Sequence, residues 1–448
     1  MPRAGRRDDK TSRGGVIDTD GQDLTADSGE MEALSARYRS VRATTESLAA
    51  PLSPEDQQAQ SMPDVSPTKW HLAHVTWFFE TFVLGEFMAD YAAFHPQFAY
   101  LFNSYYEAAG PRHARPARGL LTRPSAEEVI AYRRHVDRAM DRLLTAPPRN
   151  SANRIAELVT LGVNHEQQHQ ELLLMDIKHV FSCNPLAPAY ASDAPTGGIG
   201  ADTLDWVEIE GGVRGIGHRG DGFAFDNESP RHDVLLRDFR IASRLVTNGE
   251  YLEFVEDRGY DRAEHWFMDG IETVRTNDWR GPLYWREKDG ERFEFTLAGL
   301  QPLDPDKPVS HVSYYEAAAY AAWAGKRLAT EAEWETVAAK SDSTATAEAN
   351  LLETGRLHPT PAPKKISRPR QMIGDVWEWT QSAYNSYPGF RPAHGAIGEY
   401  NGKFMSNQMV LRGGCCVTPG GHARATYRNF FYPHQRWMFS GIRLADDR

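Results

Sequence analysis

The chain has 448 residues, 41% of them hydrophobic and 25% charged, with a net charge of −11 and three cysteines. That length accommodates two or three domains of ordinary globular composition. The negative charge disfavours nucleic acid and anionic membrane surfaces, no apolar run reaches the roughly 20 residues of a membrane-spanning helix, and three cysteines make no disulfide framework; the cytoplasm is the expected compartment.

Residues 1–28 read as a disordered tail, rich in Arg, Asp, Gly, Ser and Thr. Arg6-Arg7 is followed by Asp8-Asp9-Lys10 with no apolar run, which does not read as an export signal. A first helix is predicted over 29–50, with Met31, Leu34, Tyr38 and Val41 at helical spacing and Pro51 and Pro54 ending it. A second, strongly aromatic helix is predicted over 68–90, after Ser66-Pro67. Residues 94–124 are irregular, and loops this long in compact domains are usually functional. A third helix starts at the cap Ser125, with Glu127 and Glu128 in its first turn, and ends before Pro147-Pro148. A fourth covers 153–181. Four amphipathic helices over 29–184 suggest a four-helix bundle, an architecture that builds metal sites from inward side chains. Residues 185–204 read as a linker. Over 205–448 short β-like runs (206–209, 234–236) alternate with Gly-rich turns and helices at 247–258, 314–324 and 330–340, a mixed α+β domain.

The fourth helix carries Asn164-His165-Glu166-Gln167-Gln168-His169-Gln170-Glu171. Positions i and i+4 share a helix face, so His165 and His169 are neighbours, on a stripe with Leu158, Gly162 and Leu172. Gly162, lacking a side chain, would leave room for a ligand. Two imidazoles on an apolar stripe need a partner, because a buried unsatisfied polar group costs about 1–3 kcal/mol. A divalent metal is the simplest one. The stretch also spells H-E-x-x-H, the zinc-protease pattern in which Glu166 would be the base. Simple helix-surface histidines are the third reading. A third ligand is available on the second helix. His74 shares a stripe with Trp70, Trp77 and Phe78 and points inward; His71 shares a side with Val75 and is the weaker choice. Residues 172–181 offer no third ligand at the protease spacing. Three imidazoles without a carboxylate suit Zn, Cu, Fe or Ni, and open positions make such a site catalytic.

These residues carry a resemblance. Leu72-Ala73-His74 and His165-x-x-Gln168-His169 resemble the DinB-like metal-binding bundle. Asn227-Glu228-Ser229-Pro230-Arg231-His232, Gly325-Lys326-Arg327-Leu328-Ala329-Thr330-Glu331, Gly374-Asp375-Val376-Trp377-Glu378-Trp379 and Phe439-Ser440-Gly441-Ile442-Arg443-Leu444 resemble the formylglycine-generating-enzyme fold, a relative of C-type lectins. In this order the two modules are similar to the sulfoxide synthases of ergothioneine biosynthesis (the EgtB family). The resemblance implies a non-haem Fe(II) enzyme with His74, His165 and His169 as ligands and O2 as co-substrate. The family joins a cysteine sulfur to C2 of hercynine (Nα-trimethylhistidine) and oxidises that sulfur to a sulfoxide. Tyr105-Tyr106 match the catalytic tyrosine pair of one branch. In the other branch the tyrosine lies in the second domain, three residues before another; Tyr400 fits the second position, and Ile397 stands at the first. Gln168 and Asn429 would hydrogen-bond hercynine, and Phe430 would face its trimethylammonium group. Phe431 stands where the family places an acid that holds γ-glutamylcysteine, which argues for free cysteine. Arg115, and after it Arg112, Arg118 and Arg436, are candidates for a substrate carboxylate. Cys415 and Cys416, taken as adjacent strand residues on opposite faces, read as structural thiols. A DinB-type thiol transferase or zinc hydrolase and a lectin-like binding protein remain as alternatives; the first leaves the second domain unexplained, the second leaves the histidines unexplained.

Overall fold

The computed structural model describes residues 28–192, 200–220, 222–340, 348–363, 369–392, 398 and 401–448. The expected tail, up to residue 27, lies outside the described residues.

Four long helices form the first half: α1 (Ser28–Ala49), α2 (Thr68–Phe79), α3 (Ala126–Thr145) and α4 (Ala152–Ser182). The start of α3 is fixed by a reciprocal cap. The Ser125 hydroxyl accepts from the Glu128 N–H at 3.2 Å, and the Glu128 carboxylate accepts from the Ser125 N–H at 2.7 Å. Every residue of α2 is buried, which accounts for its run of Trp and Phe: it lies among α1, α3 and α4 with no wet side. The chain does not continue as a regular helix to residue 90. It widens into a π-turn over Glu80–Leu84 and stops after a last turn at Gly85–Phe87. At the widening, the buried Glu80 carboxylate accepts from the hydroxyls of Tyr91 and Tyr132, both at 2.6 Å, and from the Phe94 N–H at 3.2 Å. Those bonds hold the following loop against the bundle.

The second half contains two four-stranded sheets. One orders Trp206–Ile209, Phe239–Ala242, Leu444–Asp447 and Arg327–Leu328; the other orders Asn429–Phe431, Met409–Arg412, Trp377–Ala383 and Ser440–Gly441. A two-stranded and a three-stranded sheet flank them. Helices Asn248–Glu256, Tyr314–Trp323 and Glu331–Ala338 start on capping boxes at Thr247, Ser313 and Thr330. A further helix, Met268–Thr276, escaped the sequence reading because it has no side-chain cap and contains Gly270. Motif residues distant in sequence meet in the core: Glu378 accepts from Arg443 at 2.7 and 2.9 Å and from the Trp334 indole at 2.8 Å. Gly441 is required there, since a Cβ would stand 2.5 Å from a Val376 methyl and 2.7 Å from the Val309 carbonyl. This network holds the fold and takes no part in the metal centre.

The halves are packed together. Tyr190 donates to the Leu48 carbonyl at 2.8 Å, and the N–H groups of Tyr190 and Ala191 reach the Leu297 carbonyl at 2.7 and 2.9 Å. One buried hydrophobic cluster runs through both.

Candidate metal centre

α2 and α4 bring His74, His165 and His169 together, with one nitrogen from each within 4.8 Å of the others. The His74 ring is clamped between indoles, 4.7 Å from Trp70 at 12° and 5.6 Å from Trp77 at 16°. Its Nδ1 donates to the Phe102 carbonyl at 2.6 Å. Its Nε2 is therefore a buried lone pair, and it has no hydrogen-bond partner among the described residues. Such an atom costs about 1–3 kcal/mol unless something binds it. Burial holds the rings neutral. It pushes His165 down to about 3, and it drives His74 and His169 well below the usual imidazole range, with His165 adding to both shifts. Neutral imidazole is the metal-binding form. The donor set, the convergence and the orphaned Nε2 of His74 fit a divalent first-row metal with open coordination positions.

His71 is not a fourth ligand. Its Nδ1 lies 2.8 Å from Nδ1 of His169, and its Nε2 lies 3.0 Å from Asp176.

The glutamate of the H-E-x-x-H spelling is turned away from the histidines. Glu166 is buried between Arg42 and Arg133, at 3.0 Å from each, on the side of α4 that faces α1 and α3. It cannot serve as the base of a zinc protease. Gly162 leaves no space for a ligand either. An added Cβ would meet Phe79 at 2.5 Å and Phe78 at 2.9 Å, so the glycine lets α2 and α4 approach.

The long loop covers one side of the centre. Asn103 grips the Tyr106 backbone, donating to its carbonyl at 3.0 Å and accepting from its N–H at 3.1 Å. The Tyr106 ring lies 5.6 Å from Trp77, and Tyr105 stacks on Tyr106 at 4.7 Å. Tyr105 is met edge-on by Phe404 of the second half at 4.8 Å, and Lys403 bonds to its carbonyl. Burial raises the Tyr105 phenol well above its ordinary value.

Strand Asn429–Phe431 is linked to this loop through Phe404. Its alternation sends Phe430 one way and Asn429 and Phe431 the other. Phe430 stacks on Tyr384 at 4.0 Å and lies 5.9 Å from Phe404; Phe431 meets Trp437 edge-on at 5.4 Å. Asn429 accepts from the Phe430 N–H at 2.9 Å. Gln168 donates to the Tyr427 hydroxyl at 2.5 Å. Tyr400 and Ile397 lie outside the described residues.

The four candidate arginines differ in setting. Arg112 is bonded to Glu107 and Arg115 to the Asp64 carbonyl, both at the exposed rim. Arg436 pairs with Glu316 at 2.9 Å and lies 3.7 Å over Trp279. Arg118 is 3% exposed, bonded to the Ser66 hydroxyl at 2.9 Å and 3.4 Å over the Trp70 ring. No carboxylate lies within 4.0 Å of it among the described residues. Burial, then the charge of Arg115, pulls its pKa well down.

Cys415 and Cys416 lie in a turn just past the end of the Met409–Arg412 strand rather than on it. Both are buried free thiols whose pKa burial raises, the setting of inert cysteines.

Two family models match the chain. Residues 37–173 match the DinB superfamily, and residues 199–358 and 369–448 match the sulfatase-modifying factor enzyme 1-like domain. The hercynine oxygenase of Mycolicibacterium smegmatis is 32% identical over 412 residues, covering 87% of this chain and 92% of its own length. This chain belongs to the hercynine oxygenase family. The Mycolicibacterium thermoresistibile hercynine oxygenase is 33% identical over 409 residues, covering 86% and 88%. The ergothioneine biosynthesis protein 1 of Schizosaccharomyces pombe is 29% identical over 232 residues, covering 50% of this chain and 27% of its own. Membership of the hercynine oxygenase family makes the protein an oxidoreductase, and the DinB match contains all three histidines. No helix among the described residues is long and apolar enough to cross a membrane.

Sequence reasoning missed the partners of the centre. Asp176 is seven residues beyond His169, on the same helical stripe, and that spacing was a usable signal. The roles of Trp437 and Tyr427, which come from the second half, left no local trace.

Proposed function

We propose that the protein is a non-haem iron(II), O2-dependent sulfoxide synthase that joins the sulfur of cysteine to C2 of hercynine. The observation that supports this reading is the convergence of three imidazoles, those of His74 and His165 buried and that of His169 half-buried, with one nitrogen from each within 4.8 Å of the others. His74, His165 and His169 would hold the iron, which supplies the site at which O2 and the thiolate meet. The overall reaction balances: the C2–H and S–H hydrogens leave as water, one oxygen atom ends on sulfur, and the four electrons taken by O2 come from C–S bond formation and sulfur oxidation.

The protein's own groups bind and orient. Gln168, held by Tyr427, and Asn429 are assigned to the hercynine imidazole. Phe430, within the Tyr384 and Phe404 stack, is assigned to its trimethylammonium group by cation–π attraction. For a substrate carboxylate Arg118 is favoured, because its guanidinium is buried and has no ion-pair partner within 4.0 Å among the described residues. Arg115 and Arg436 already have partners. Phe431 offers no charge to a γ-glutamyl ammonium, whose burial beside a phenyl ring would be costly, so free cysteine is the assigned donor. Tyr105 and Tyr106 are assigned to supply a proton or hydrogen atom during O2 reduction, which would favour coupling over oxygenation of the thiolate alone.

The test is an anaerobic mixture of protein, Fe(II), hercynine and either cysteine or γ-glutamylcysteine, then O2, with products read by mass. Hercynylcysteine sulfoxide is expected from cysteine. Replacing both tyrosines by Phe is expected to shift product towards cysteine sulfinate. A strong preference for γ-glutamylcysteine overturns the donor assignment, and an unchanged product ratio removes the tyrosines from the chemistry.

A further inference from the structure

His169 does not stand alone behind the metal centre. Its Nδ1 faces Nδ1 of His71 at 2.8 Å, and Nε2 of His71 faces the Asp176 carboxylate at 3.0 Å. Asp176 also accepts from two groups that can only donate: the Ser66 backbone N–H at 2.8 Å and the Trp437 indole N–H at 2.9 Å. His71, Asp176 and Trp437 are 2%, 3% and 4% exposed, so water does not compete for these bonds.

The order of protons follows. A carboxylate ringed by N–H groups is an acceptor, so His71 carries its hydrogen on Nε2. In the neutral ring its Nδ1 is then a lone pair, and the facing Nδ1 of His169 carries the hydrogen between them. That leaves the lone pair of His169 on Nε2, free to bind a metal. A ligand's outward hydrogen bond fixes which nitrogen coordinates and how the ring is aimed. His74 obtains the same result from a backbone carbonyl, that of Phe102.

We propose that His71 and Asp176 are positioning residues that lock His169 in its ligating tautomer, and that Trp437 anchors them from the second half of the chain. Docking of that half then helps to set the metal affinity of the bundle. This rests on the reading of His74, His165 and His169 as metal ligands.

The test uses the full chain without O2, titrated with Co(II) and followed by visible absorption, with Fe(II) uptake by equilibrium dialysis as a second measure. Loss of such outer partners typically weakens metal binding about 10–100-fold, and that loss is expected for His71→Leu and for Asp176→Asn, with an altered Co(II) spectrum. Trp437→Phe keeps an aromatic ring and removes the donor together with part of the indole; a smaller weakening in the same direction is expected. His71→Gln can still accept from His169 through its carbonyl and donate to Asp176 through its amide, so it should recover much of what His71→Leu loses. Circular dichroism and melting temperature identify any variant that fails to fold, in which case Trp437→Phe and His71→Gln decide. Folded variants with parental affinity and spectrum overturn the relay. Parent protein that takes up neither ion overturns the metal assignment itself, a different failure.

Discussion

A carboxylate held between two guanidinium groups is a structural charge. Burial alone would raise the Glu166 pKa, but Arg42 and Arg133 outweigh it and hold the group at about 2. Its ordinary value is 4.5, so the stability it contributes is present above about pH 4.5 and is lost as pH falls towards 2. Glu166→Gln leaves two buried arginines short of a counter-charge, which should lower stability by about 3–5 kcal/mol. Metal content per folded molecule should not change. Urea unfolding and metal analysis check both, and parental stability with lost turnover would restore Glu166 as a base. At this scale the sequence was legible where chemistry follows local spacing. The His165–His169 pair is an i, i+4 signal, and His74 lies on an aromatic stripe. The role of Glu166 depends on arginines 124 and 33 residues away, which no local pattern reports.

α4 is used on three sides. His165, His169 and Asp176 face α2 and His71; Glu166 and Gln170 face α1; Asn164, Gln168, Glu171 and Lys178 reach the second half. Periodicity found the helix readily, since strong apolar spacing and breakers surround it. It could not say which polar residues faced water, because beyond Glu157 none is fully exposed. Gly162 shows the consequence. Ala is the better helix former by about 1 kcal/mol, yet overpacking against the two phenylalanines typically costs about 1–3 kcal/mol. Gly162→Ala should therefore destabilise the protein, and it should weaken Co(II) binding because His165 is one turn on. A raised melting temperature with unchanged metal affinity would contradict the close-approach account. The Met268–Thr276 helix was illegible for the opposite reason: nine residues with a glycine and no cap carry too little local signal.

Across the molecule the halves meet through polar atoms as well as through a shared core. Glu171 accepts from the Trp377 indole at 2.6 Å and the Thr418 hydroxyl at 2.5 Å, and Lys178 meets Nε2 of His311 at 2.6 Å. His311 holds a φ of +63°, a conformation that a side-chain-bearing residue keeps only where its surroundings enforce it. Burial pulls the Lys178 ammonium down from 10.5 to about 8, against the opposing charge of Glu294. Between those values the unfolded chain binds more protons than the folded one, so stability should rise with pH from about 8 to 10.5, by on the order of 3 kcal/mol. Lys178→Met should flatten that rise; parallel denaturation curves for parent and variant would rule it out. The three occupied sides of α4 also make the helix a ruler. One residue inserted between Gln170 and Glu171 would turn everything beyond it by about 100° relative to the histidines. Asp176 would leave His71, and Glu171 and Lys178 would leave their partners, in a single event. Substitutions on α4 can be met one at a time, but insertions and deletions cannot. Insertions and deletions should be tolerated only in the surface loops, where no such reading frame has to be kept.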